Sequence, residues 1–213
     1  MNPSPGDRSP HPLNGLVRPL MPLAQGIDRL TDFLGSGINW LVLLTISVGF
    51  YNVAARYLGR FIGVQLSSNR LIELQWYLFS LIFLLGFPYI LKHNENVRVD
   101  FLYSHWSDRR KVWVDLLGTL LFLIPFCCLG FYVAWNPVLT SWGLLPDGTW
   151  GSWEISTDAD GLPRAPIKTM VLVGLGLLLL QALSQVIKYI ALLLNFPAIA
   201  QQLQEETEEL PFE

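Results

Sequence analysis

Charge is scarce in this chain. Only 15% of its 213 residues are charged and 52% are hydrophobic, whereas about a quarter of a soluble domain is charged. The formal net charge is −3, and no basic cluster with interleaved aromatics exists to hold nucleic acid, so that class of partner is excluded. Cysteine is nearly absent. Cys127 and Cys128 are adjacent, point in different directions on any helix, and cannot close an unstrained disulfide. They also lack the spaced partners of a zinc site. The three histidines, His11, His93 and His105, fall outside the long apolar runs, which argues against a subunit that anchors haem between its helices. A phosphate-binding glycine loop, a zincin helix and a nucleophile elbow are all missing. The residues therefore describe a protein that is not an enzyme, with no cofactor and no metal.

What the chain has instead is four long apolar runs, at about 38–58, 71–91, 112–135 and 167–194. At 1.5 Å per residue, about 20 residues cross the roughly 30 Å hydrocarbon core of a bilayer. Water is absent there, so each run must satisfy its own backbone as a helix. The expected fold is an all-α integral membrane protein of four transmembrane helices, with membrane lipid as its solvent. Around the membrane domain, taken as 30–195, stand a Pro-rich arm at 1–29, expected to be mobile, and an acidic tail at 196–213. The arm has no apolar segment of the signal-peptide type. The tail reads as a solvated terminus rather than a docking site.

Lysine and arginine counts near the helix ends set the orientation. Arg8, Arg18 and Arg29, the five cations of the middle loop (Lys92, Arg98, Arg109, Arg110 and Lys111) and Lys188 lie on one side. Arg56, Arg60, Arg70, Arg164 and Lys168 lie on the other. The larger group places both termini and the middle loop in the cytoplasm. Trp142, Trp150 and Trp153 put the last link, about 136–166, along the outer membrane face, because indole prefers the headgroup region. Between helices two and three, Val97, Val99, Phe101, Leu102 and Trp106 alternate with polar residues, suiting either a short interfacial segment or a plain loop.

The expected membrane interior carries few polar groups. Gln181, Ser184, Gln185 and Lys188 fall at i, i+3, i+4 and i+7, on one helix face. Such a stripe either lines a substrate path or joins helices by hydrogen bonds, with Lys188 reaching toward the headgroups. Pro125 is expected to kink the third helix. Glu73, one turn inside helix two, is costly there unless partnered. Arg56 ends helix one on the same side, so either the two form an ion pair or Glu73 reaches water.

Several residues, taken in order, carry a resemblance. Asn52-x-x-x-Arg56-Tyr57 ends the first run, and Glu73 opens the second. Gly86 and then Asn96-Val97-Arg98-Val99-Asp100 follow. Beyond the third run come Ser141-Trp142, Glu154-x-Ser156 and Gly161-Leu162-Pro163-Arg164-x-Pro166-Ile167-Lys168. The chain resembles the small, DctQ-type membrane subunit of tripartite ATP-independent periplasmic (TRAP) transporters over roughly 30–195. One departure is Asn96, which stands where the family usually has histidine. The resemblance implies a non-catalytic permease subunit of the bacterial inner membrane. Its partners would be a large multi-span TRAP membrane subunit and a periplasmic substrate-binding protein. The large subunit would move organic acids on a sodium gradient while the small one braces its scaffold. The resemblance also implies Arg56 and Glu73 as an outer pair and Arg98 with Asp100 as a cytoplasmic anchor. Arg164 and Lys168 would then be outer contacts for the binding protein. The rival readings are a self-sufficient four-helix transporter or channel acting as a homo-oligomer through Gln181 and Gln185, and an anchor subunit of an enzyme complex.

Overall fold

The computed structural model describes residues 18–95 and 105–194. Four helices in it are long and apolar enough to cross a membrane: α1 (Met21–Ile62), α2 (Asn69–His93), α3 (Asp108–Ser141) and α4 (Arg164–Leu194). Among the described residues no strand forms, and the link from α3 to α4 is closed by two isolated bridges, Leu144–Trp150 and Ile155–Pro163.

Each helix is longer than its apolar run, and the local chemistry explains where it starts and stops. Proline made 1–29 look like an arm, yet Pro22 sits in the first turn of α1. In a first turn no hydrogen bond is lost and the fixed φ suits a helix. Residues 21–29 are therefore helical, which corrects the expected boundary of the arm. At the other end Gly63 turns left-handed at φ 71° and its N–H closes on the Gly59 carbonyl. Asn94, at φ 60°, ends α2 in the same way. That helix runs through His93, so this imidazole lies in its last turn. Pro125 leaves a specific defect in the hydrogen-bond ladder of α3. It cannot donate to the Leu121 carbonyl, and the turn Thr119–Leu123 widens to a π-helix, with the Ile124 N–H bonded to the Thr119 carbonyl. The two cysteines are free, one buried and one exposed.

α4 is the hub. It packs against α1, α2 and both halves of α3, and 33% of its apolar window is buried, against 11% in each of the other three. Small residues set the close approaches. Gly35 of α1 lies under the Tyr89 ring, and Gly49 lies under the Gln75 side chain, so α1 and α2 run antiparallel. A Cβ on Gly174 would stand 2.9 Å from Leu84 Cβ and 3.2 Å from the Leu84 carbonyl oxygen, so α2 and α4 meet nearly backbone to backbone. The segment expected to lie on the membrane surface between the second and third helices falls mostly outside the described residues.

Candidate functional site

The charged groups and the polar contacts between helices gather in two layers, one at each end. Lys168 and Lys188 mark the layers on α4. They are 20 positions apart, about 30 Å along a helix, the thickness of a bilayer core. No charged residue occurs between Asp32 and Arg56, Glu73 and Lys92, Asp115 and Asp147, or Lys168 and Lys188.

The first layer ties the last link to the start of α2. Glu73 is buried, with 8% of its surface exposed. One of its carboxylate oxygens accepts from the Ser156 hydroxyl and the other from the Leu162 N–H. Asn69 donates to the Ala159 carbonyl (3.1 Å), Arg70 to the Asp160 carbonyl (3.1 Å) and Tyr77 to the Pro163 carbonyl (3.0 Å). Residues 69, 70, 73 and 77 share one helix face, and together they hold the stretch 156–163 along it. Arg70 also pairs with the Asp160 carboxylate at 2.5 Å.

Next to this clasp, Glu154 joins α3 to α4. Its carboxylate takes Lys168 and the Ser141 hydroxyl (2.6 Å), while its N–H donates to the Ser141 carbonyl (2.7 Å). Lys168 and Ser141 hold the Glu154 carboxyl below its ordinary range, since both bonds favour the charged form. Asp147 is lowered likewise by the hydroxyl and N–H of Thr149. Trp142 Nε1 donates to Thr169 Oγ1 at 2.8 Å. Gly143, at φ 102°, lets the link fold back, because a Cβ there would meet the Gly151 carbonyl oxygen at 2.6 Å.

The second layer joins α1, α2 and α4. Asp28 is its centre. Gln181 Nε2 donates to Asp28 Oδ1 at 3.0 Å, and the Ser184 hydroxyl lies 3.0 Å from the same atom. Lys188 Nζ pairs with Asp28 Oδ2 at 2.5 Å, both side chains being only 11% exposed. Thr31 donates to Gln181 Oε1 at 2.7 Å, which completes that amide. Gln185 Nε2 reaches the Leu91 and Lys92 carbonyls (3.2 and 3.3 Å) in the last turn of α2, where the helical ladder runs out of donors. At the rim Asp32 takes Lys92, and His93 Nε2 lies 3.4 Å from the same carboxylate without forming an aligned hydrogen bond.

Several expected roles change with this geometry. The Glu73–Arg56 ion pair is not formed: the Glu73 carboxylate is filled by the link, and Arg56 is exposed near the end of α1. Arg164 faces inward, its guanidinium 3.4 Å from Ser156 Oγ and close enough to Glu73 and Glu154 to act on their charge. Lys168 is spent on Glu154. Gln181 and Gln185 both bond across helices, so this part of the stripe joins helices rather than lining a path. Lys188 pairs with Asp28 instead of reaching the headgroups. Arg98 and Asp100 lie outside the described residues. Sequence reasoning missed Asp28, Thr31 and Asp32. The available signal was the step of four, three and four from Ala24 through Asp28 and Thr31 to Gly35, the buried face of one helix.

Among the described residues no group of three or more His, Cys, Asp or Glu side chains is placed to hold a metal. In chemical terms the two layers are closed hydrogen-bond networks that lock helices together. Compared with known proteins, residues 45–192 match the model of one family, described as tripartite ATP-independent periplasmic transporters, DctQ component. No curated protein matches the chain, and no solved structure does.

Proposed function

We propose, from the premise that this chain belongs to the DctQ family, the small permease component of TRAP transporters, that it braces the immobile scaffold of the large membrane subunit. The transport served is sodium-driven uptake of organic acids that a periplasmic binding protein delivers. The chain sits in the bacterial inner membrane with the Asp28 layer and both termini on the cytoplasmic side and the Glu73 layer on the periplasmic side. The excess of lysine and arginine on the Asp28 side supports that orientation.

One observation carries the bracing role: charge is confined to the two end layers, and the buried groups there are spent on other helices of the same chain. A moving substrate site needs ionisable groups or broken helices near the midplane. Here the midplane hydroxyls of Thr45, Ser47 and Ser80 are bonded to carbonyls of their own helices. A bundle locked at both ends is suited to hold a neighbour still. Its outer faces are large and apolar, with Trp40, Phe50, Phe122 and Tyr132 all more than 70% exposed.

The test is purification of the tagged chain from its native membrane in mild detergent, followed by reconstitution. The expected result is a stoichiometric large membrane subunit, and sodium-dependent uptake that needs both chains and the binding protein. A homo-oligomer that passes solute by itself would overturn the reading.

A further inference from the structure

The lateral faces of the bundle differ in one respect. On α3 one face around the middle presents Phe122, Phe126, Leu129 and Val133, all apolar and exposed, which suits acyl chains. Between α1 and α2 there is instead a notch of about 410 Å³, lined by Thr45, Gln75, Trp76, Phe79 and Ser80. Gln75 lies across Gly49, whose missing side chain makes the room: a Cβ there would stand 2.8 Å from Gln75 Nε2. Among the described residues the Gln75 amide has no hydrogen-bond partner. The hydroxyls of Thr45 and Ser80 donate to the Leu41 and Trp76 carbonyls, so their oxygens keep lone pairs to offer. Asn52, one turn beyond Gly49 on α1, is 6% exposed and its Oδ1 is also unpartnered.

The notch lies within the hydrocarbon. Gln75 is five positions inward from Arg70, about 8 Å along α2, and the adjacent stretch of α1 continues apolar and exposed at Phe50, Val53 and Tyr57. An amide at that depth has no water to turn to. Acyl chains offer nothing, and lipid esters offer acceptors only, which would leave the Gln75 amide oxygen without a donor. The matching group is an Asn, Gln, Ser or Thr side chain on another helix. Trp76 and Phe79, 71% and 65% exposed, rim the polar centre as the water-excluding ring of an interface does.

We infer that the α1–α2 face around Gln75 is the surface on which a transmembrane helix of the large subunit packs, placing a hydrogen-bonding side chain in the notch. This rests on the reading of the chain as a TRAP small subunit. The test uses the full complex in native membranes, with benzoylphenylalanine introduced at Trp76 or, on the opposite face, at Phe122. Light should join the Trp76 variant to the large subunit and leave the Phe122 variant on lipid. Independently, Gln75→Leu should lower the large subunit recovered per small subunit by about threefold to fifteenfold, the range of one interhelical hydrogen bond, with the helical signal unchanged. Joining from Phe122 and not from Trp76, or a Trp76 adduct only with lipid or a second copy, overturns this surface and leaves the subunit reading standing. Recovery of no large subunit with the unmodified chain overturns both.

Discussion

The Asp28 layer allows a quantitative test of what holds the bundle. Asp28→Ala removes the acceptor of Gln181 and Ser184 and the counter-charge of Lys188 at once. Deleting one member of a buried ion pair costs about 3–5 kcal/mol, because the other is left uncompensated. With both side chains only 11% exposed, this pair lies near that range rather than near the small values of surface pairs. Gln181 keeps its bond from Thr31, so the three losses do not simply add. For a chain of this length each kcal/mol moves the melting temperature by about 2–4 °C, so the expected loss is about 6–20 °C. The assay is thermal unfolding in nanodiscs, followed by tryptophan fluorescence. The diagnostic variant is Asp28→Leu with Lys188→Leu, which removes both charges and fills the space. It should melt well above Asp28→Ala, since the stranded ammonium is gone. A fall below about 2 °C for Asp28→Ala, less than one kcal/mol on the same scale, would refute the buried pair as a lock. So would a double variant no better than the single.

Other outcomes follow from the opposite end and from the core. Glu73→Gln should loosen the clasp and open the stretch 156–163 to protease, whereas Arg56→Ala should leave it closed, and equal effects of the two would restore the pair expected from sequence. The Glu154 carboxyl is held below its ordinary value of 4.5, so its contribution is complete above that pH. That contribution is lost as pH falls through the lowered value. Fluorescence of Trp142 and Trp153, whose rings lie 5.8 Å apart, should therefore change on acidification, and Glu154→Gln should abolish the transition. Gly174→Ala should destabilise by about 1–3 kcal/mol through overpacking against Leu84. Gly37→Ala, which meets no atom within 4 Å, serves as the control, and a melting temperature for Gly174→Ala equal to the control's would count against the close α2–α4 approach.

Hydrophobicity made four spanning helices legible, because hydrocarbon forces one backbone solution on any long apolar run. It said less about their ends. The expected spans stop where apolar residues stop, but α1 continues down to Met21 since Asp28 and Thr31 point into the bundle and bury their polarity there. Composition treats an aspartate as a sign of water, so the helix was cut short at its most consequential residue. The family match begins at residue 45 and also misses it. The polar stripe of α4 was readable from its spacing, but its partners were not, because hydrogen bonds between Thr31 and Gln181 span 150 positions. From sequence, Glu73 is costly inside a span unless it is partnered or reaches water. A shared side of the membrane points to Arg56, whereas the fold supplies a serine hydroxyl and a backbone N–H from the last link.

That substitution matters for how the bundle is built. An ion pair between α1 and α2 would strengthen a contact that their antiparallel packing already makes. Clasping the last link with Glu73 instead ties α2 to the segment joining α3 and α4, while Glu154 ties α3 to α4. At the other end Asp28 ties α1 to α4, and Gln185 ties α4 to α2. Across both layers every helix is fastened to another by at least one polar contact. Between them the helices meet through Gly35, Gly49, Gly130 and Gly174 without polar bonds. In a bilayer apolar burial gives helices little reason to associate, since lipid is as apolar as they are. The close glycine contacts supply dispersion, and the layers supply register. Sliding α4 by one turn would pull Lys168 from Glu154 at one end and Lys188 from Asp28 at the other, so the two layers together fix its register.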